Sequence, residues 1–347
     1  LPNLSAENSA TTYGRMNKWA ALATLCRVYL NAEVYTGTAE WAKALDCANQ
    51  IINSGLFELS ADFSDNFKAS VDYTNKEAIF AIPYDMSYGS FQQQHKWYPP
   101  GSQNVFGNLK NYFWGGSCAN PQFINAYEPG DKRSEKTWMM GPQYHFQTGA
   151  ELYNCVNKLP SLTCFDSEGK NHTSVNWGYR VYKYEPDAAT INGEWSNDFL
   201  YFRYAEILLS YAEAKIELDQ IDASVYDAIN QVRKRAGMPN VDEAKYSTQD
   251  KLRELVRRER RVEFAYEGMR RWDIIRWGIA KDVLNQPLLR VEGELLTTKN
   301  AEGDFDIKIT GTAVEENRSF TTGKNELLPI PQSILDANPQ ITQNPGY

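Results

Sequence analysis

The chain has 347 residues with 36 basic and 44 acidic side chains, a formal charge of −8, and 42% hydrophobic and 23% charged residues. This balance excludes intrinsic disorder and argues against nucleic acid or an anionic membrane as the main partner. No run of 18 apolar residues occurs, so no transmembrane helix is expected.

From the N-terminus, residues 15–36 put Trp19, Leu22, Ala23, Cys26, Tyr29 and Leu30 on one face at helical period. Residues 39–53 do the same with Trp41, Leu45, Ala48, Ile51 and Ile52. With a turn and N-cap from Gly37 and Thr38, and a stop at Ser54 and Gly55, the pattern predicts a helical hairpin of tetratricopeptide size. Arg15 to Cys26 has the outline of a signal segment ending in a lipidation cysteine. Bulky Leu25 at the processing position and a register continuing through Tyr29 and Val34 predict an amphipathic helix instead.

Residues 56–200 lack helical periodicity and are rich in Gly, Pro, Asn and Tyr, with strand-like pieces at 78–82 and 180–184. So long an irregular insertion suggests function. Its window from Tyr84 to Trp114 interleaves rings with amides: Trp97, Tyr98, Tyr112 and Trp114 alternate with residues such as Asn104 and Asn111. Flat apolar faces beside hydrogen-bonding amides match a sugar ring, which has an apolar C–H face and a rim of hydroxyls. The structural alternative is that the rings pin an irregular loop to the helices. Trp97, Tyr98, Tyr112, Trp114, Asn104 and Asn111 are the candidate ligand-binding residues, with Trp138, Trp177 and Trp195 behind them. Two or three stacked rings at about 1 kcal/mol each, plus a few amide hydrogen bonds of about 1 kcal/mol, place affinity between millimolar and micromolar.

Five cysteines form no CxxC pair and three histidines are scattered, so no metal site or cofactor is expected. Cys26 and Cys47 read as buried inert thiols, while Cys155 and Cys164 bracket a stretch that a disulfide would close in an oxidising compartment. A second helical hairpin is predicted from Tyr204 to Leu218 and from Tyr226 to Gly237. The longest helical signal opens at Ser247, three before Asp250, and runs to Gly278 with eight arginines. Acidic residues interleave with them, and Glu254–Arg258 and Glu267–Arg271 have i, i+4 spacing, which predicts a solvated or ion-paired face rather than a nucleic-acid surface. Residues 288–326 read as weak strands and turns, followed by a Pro-rich tail along the surface. Nucleotide-binding, serine-hydrolase and HExxH motifs are absent; a glycosidase carboxylate pair is left open by 44 acids.

The run from Glu259 through Phe264, Tyr266, Gly268, Arg271, Trp272 and Trp277 to Gly278 resembles the signature helix of the SusD/RagB family of nutrient-binding outer-membrane lipoproteins. The segment Leu327 to Pro331, Asn338 with Pro339, and Gln343 to Tyr347 are similar to that family's C-terminus. Weaker likeness comes from Tyr204 to Ala214, from Gly14 with Arg15, and from Glu77 to Phe80. The resemblance implies a mainly α fold of tetratricopeptide-like hairpins, a SusD-like superhelix with a large irregular insertion containing short strands. Within one such domain over 1–347, residues 15–55 and 202–278 would be scaffold, 56–200 the ligand-binding insertion and 279–347 an irregular C-terminal segment. It further implies a non-enzymatic protein at the cell surface that captures oligosaccharide or polysaccharide, partners a SusC-like TonB-dependent transporter and binds no nucleic acid. Capture of oligopeptides is the alternative. The family's N-terminal part, with a signal peptide, an acylated cysteine for the outer-membrane anchor and the first helices, is not in this sequence. The signature arginines are expected to form structural ion pairs.

Overall fold

The computed structural model describes residues 1–85, 87–88, 118–138, 143–144, 151–152, 163–165, 171–173, 179–185, 195–299 and 305–347. Asn17 starts α1 (Lys18–Leu30): its side-chain oxygen accepts from the backbone N–H groups of Trp19 and Ala20 at 3.0 and 2.9 Å, satisfying donors that a helix start leaves unpaired. The one helix expected over 15–36 is broken at Asn31, whose amide donates to the carbonyl of Arg27 at 2.8 Å and offers the backbone an alternative to continued helix. A short α2 (Ala32–Thr36) then ends at Gly37, left-handed at φ 73°. Helix α3 (Trp41–Asn53) starts at Glu40 without a side-chain cap. Thr38, read as the N-cap, instead donates its backbone N–H to Thr36 Oγ1.

Helices α1 and α3 pack through Leu22, Cys26 and Leu30 against Ala44, Ala48 and Ile51. Cys26 and Cys47 are buried and free, and burial pushes the Cys47 thiol up to about 11 and that of Cys26 higher still, as an inert thiol requires. A 3-10 turn (Phe63–Phe67) leads into β1 (Ala78–Ile82), the first of the expected strands. Beyond it come β2 (Cys118–Ala119), α4 (Pro121–Ile124) and α5 (Lys132–Thr137). Two two-stranded pairs follow, β3 (Gln143–Tyr144) with β4 (Glu151–Leu152) and β5 (Thr163–Phe165) with β6 (Asn171–Thr173). Strand β7 (Tyr179–Arg180) returns to pair with β2, and β8 (Phe199–Arg203) runs antiparallel to β1 with Ala78 opposite Arg203.

Strand β8 feeds directly into α6 (Tyr204–Glu217), the central helix. It is buried nearly all round, its Glu206 and Glu213 included, because it has neighbours on every side: α1, α3, α7 (Ala223–Arg235) and α8 (Gln249–Glu263). Ile207, Leu208, Leu209, Ala212 and Ile216 fill the core against Ile229, Val232, Leu252, Leu255 and Val256. Small Ala212 and Ala228 are both buried, as close helix approach needs.

The arginine-rich helix is two helices. Thr248, rather than Ser247, caps α8 by accepting from Lys251 N, and the helix stops at Glu263. The chain folds back through Tyr266 and Gly268, both left-handed at φ 64° and 81°, into α9 (Arg270–Arg276) and α10 (Ala280–Leu284). A continuous helix would have carried Phe264 and Ala265 along its own axis; the turn buries both.

Residues 288–316 are more regular than weak strands: β9 (Leu288–Lys299) and β10 (Phe305–Glu316) form a long antiparallel ribbon. Gly293 and Gly311 lower the strand propensity of each segment alone, but they sit where Ile309 and Glu292 oppose them and where the register shifts, as at a bulge. After α11 (Gln332–Ala337), the tail is tied back along the surface. Gln343 exchanges two hydrogen bonds with the backbone of Ile330, at 2.7 and 2.9 Å, and the Tyr347 hydroxyl donates to the Leu327 carbonyl at 3.1 Å.

Candidate functional site

The fold-back after α8 divides the signature segment between two surroundings. On one side lies a buried ion network. Arg203 donates to Glu263 at 2.5 Å, to Glu77 at 2.8 Å and to Glu267 at 2.8 Å. Arg133 reaches Asp131, Glu259 and Glu263 at 2.7, 2.9 and 3.2 Å, Arg233 reaches Glu259 at 2.5 Å, and Arg235 pairs with Glu77 and Glu263. Lys183 donates to Glu267 at 2.6 Å and to the Ala265 carbonyl at 2.9 Å, which ties down the turn itself. Burial alone raises the Glu263 carboxyl, but the charges of Arg235, Arg203 and Arg133 outweigh it and hold the group well below the usual carboxylate range. Burial brings Lys183 down to about 8 in spite of Glu267. In this network Glu77, Asp131, Glu259, Glu263 and Glu267 are matched by Arg133, Lys183, Arg203, Arg233 and Arg235.

A second buried cluster joins α6 to α9. Glu213 accepts from Arg276 at 2.6 and 2.8 Å and from the Trp277 indole at 2.6 Å, while Asp273 bridges Arg260 at 3.2 Å and Arg276 at 2.8 Å. The expected i, i+4 pairs do not form among the described residues. Arg258 pairs with Glu128, Glu267 turns to Lys183 and Arg203, and Arg271 donates to the carbonyls of Asn325 and Glu326. The fold-back supplies partners distant in sequence, which helical spacing does not reveal.

On the other side of the turn is a cavity of about 620 Å³. Among the described residues, Phe123, Trp138, Phe264 and Tyr266 give it ring walls, and Arg260, Arg261, Arg270 and Arg271 give it guanidinium groups against the single carboxylate of Asp273. Pro121 at the first position and the Asn120 side chain, which accepts from Phe123 N at 2.8 Å, fix the short helix carrying Phe123. Phe123 and Tyr266 each meet the Trp138 ring edge-on, with centroids 5.6 and 6.4 Å away. The Trp138 indole donates to the Tyr127 hydroxyl at 3.1 Å, so its orientation is set from behind. The Arg261 guanidinium lies 5.0 Å from the centre of the Phe123 ring.

Trp97, Tyr98, Asn104, Asn111, Tyr112 and Trp114 lie outside the described residues, as do Trp177 and Cys155; the side chain of Cys164 does also. Trp138 and Trp195 are 4% and 0% exposed, so neither is the open shelf expected of them. Trp195 belongs to an aromatic core with Phe63, Phe67 and Tyr184, whereas Trp138 contributes to the cavity from within its wall. Sequence reasoning missed Phe123, Arg261, Tyr266 and Arg270. The one signal was the excess of arginines over the ion pairs that helical spacing could supply.

A helical superhelix of this kind with short-stranded insertions is the SusD architecture. A model of the SusD family matches residues 76–347, and the chain belongs to that family. It is 24% identical over 356 aligned positions to SusD-like protein P25 of Formosa agariphila, covering 96% of this chain and 60% of that protein. Among solved structures, a SusD-like carbohydrate-binding protein from Bacteroides fragilis superposes with TM-score 0.74 at 26% identity, over 97% of this chain and 67% of that one. Surface glycan-binding protein A from Bacteroides thetaiotaomicron, in complex with laminarihexaose, superposes with TM-score 0.68 at 20% identity, over 98% and 66% respectively. The chain spans 56 to 60% of the length of the curated relatives it matches.

Proposed function

We propose that this chain is the ligand-capturing part of a cell-surface glycan-binding protein that takes up oligosaccharides and hands them to a SusC-like TonB-dependent transporter, the whole protein being held at the outer membrane by an N-terminal lipid anchor outside this sequence. Membership of the SusD family carries this reading. The carbohydrate-binding relatives of the same fold, one in complex with laminarihexaose, support it. The ring-walled cavity suits sugar faces, and so does the aromatic and amide-rich composition of 84–114. No catalysis is required of either: stacking and amide hydrogen bonds hold a sugar without activating a bond, and release to a partner favours the weak affinity expected from a few such contacts.

A screen of plant, host and microbial glycans tests the proposal, with oligopeptides as the rival ligands. Trp97→Ala and Trp114→Ala are each expected to weaken glycan binding at least tenfold while the melting temperature stays unchanged. Equal loss of binding and stability would place those rings in the core. Binding of peptides with no glycan response would replace the carbohydrate reading by peptide capture.

A further inference from the structure

We infer that the cavity beside the fold-back takes an anionic substituent of the glycan, a uronate carboxylate or a sulfate ester; this rests on the glycan-binding reading and narrows its substrate class. The observation is a difference between arginines on one short stretch of chain. Arg260 and Arg276 are paired with carboxylates, and Arg271 is bonded to carbonyls. Arg261 and Arg270 both line the cavity, and among the described residues neither has an ion pair.

Both are half-buried. The Arg261 Nε is buried without a hydrogen-bond partner among the described residues, and its guanidinium lies against Phe123. Burial lowers the pKa of both guanidiniums, and for Arg270 the charge of Arg261 adds to the effect. Cationic groups that are desolvated and close to each other are stabilised by an anion between them. Among the described residues the only carboxylate lining the cavity is Asp273, and it is already held by Arg260 and Arg276. A planar carboxylate or a tetrahedral sulfate suits forked guanidinium donors, while the half-buried rings of Phe123 and Tyr266 offer surface to the sugar that carries it.

Calorimetric titration of the protein with oligogalacturonate, a sulfated galactan oligosaccharide and neutral laminarihexaose of equal length tests the inference, at low ionic strength. At least one acidic ligand is expected to bind at least tenfold more tightly than the neutral one. That advantage should fall at least tenfold in Arg261→Gln and Arg270→Gln and by less in Arg261→Lys, which keeps the charge but loses the fork, and the two acidic arms separate uronate from sulfate. Equal affinity for neutral and acidic glycans, unchanged acidic binding in both Gln variants, or preference for acidic peptides over acidic glycans would overturn it. Thermal shifts with free D-glucuronate against D-glucose keep the two readings apart. A neutral glycan that binds as tightly as both acidic oligosaccharides, with no glucuronate shift in the wild type, overturns the anion site and leaves glycan capture standing. A glucuronate shift that Arg261→Gln abolishes, in a protein that binds no oligosaccharide, supports the anion pocket and removes the glycan.

Discussion

Glu263 and Arg261 stand two residues apart near the end of one helix and live in opposite electrostatic conditions. Around Glu263 every charge has a counter-charge at hydrogen-bond distance, so removing one member strands another in a low-dielectric interior. Around Arg261 no counter-charge is present among the described residues, so removing it strands nothing. A count of arginines in the signature does not distinguish scaffold from cavity wall; the count of partners among the described residues does.

The sharpest way to break this comparison is to neutralise each side in turn. Glu263→Gln is expected to cost about 3–5 kcal/mol, because Arg133, Arg203 and Arg235 each lose a partner while remaining buried. Arg261→Gln is expected to change stability by less than about 1 kcal/mol in either direction, since it removes a desolvated charge along with its ring contact. Urea unfolding of the two variants measures both, and equal losses would erase the distinction.

Acid sharpens the same contrast. Burial raises Glu213, but Arg276 and Arg260 bring it from 4.5 to about 2, so the folded state holds the ionised form more firmly than the unfolded chain does. Its contribution is present in full above pH 4.5 and is lost as pH falls toward 2. The urea midpoint should therefore drop over that interval, and more shallowly in Glu213→Gln. A modest effect is expected at a surface cap: Asp222→Ala removes the carboxylate that accepts from Ser224 N at 2.9 Å and from Lys215 at 2.5 Å, and should cost about 1 kcal/mol by urea unfolding.

Helical period was enough to place the two hairpins, because Leu22, Cys26, Ile229 and Val232 each repeat at the spacing of a single buried face. The breaks at Asn31 and Glu263 were not legible. One depends on a side-chain amide bonding back to the Arg27 carbonyl, the other on Lys183, eighty positions upstream, binding the carbonyls of the turn. The β9–β10 ribbon was underrated for a related reason: Gly293 and Gly311 weaken each strand alone, and only the pairing of the two segments makes the ladder. The cavity was illegible altogether, since Phe123, Trp138 and Tyr266 are far apart in sequence and meet only in three dimensions. In the other direction, Trp195 was prominent in the sequence but serves an interior aromatic cluster.

Tyr266 holds a left-handed backbone at φ 64°, a conformation that L side chains adopt at a cost, and it does so in the same turn that brings its ring to the cavity. One joint thus serves as both keystone and lip: the bend that clamps α8 to α9 also hangs the cavity's aromatic edge. A guest seated against that edge would touch the same turn that Lys183 and Arg203 anchor to the buried ion network.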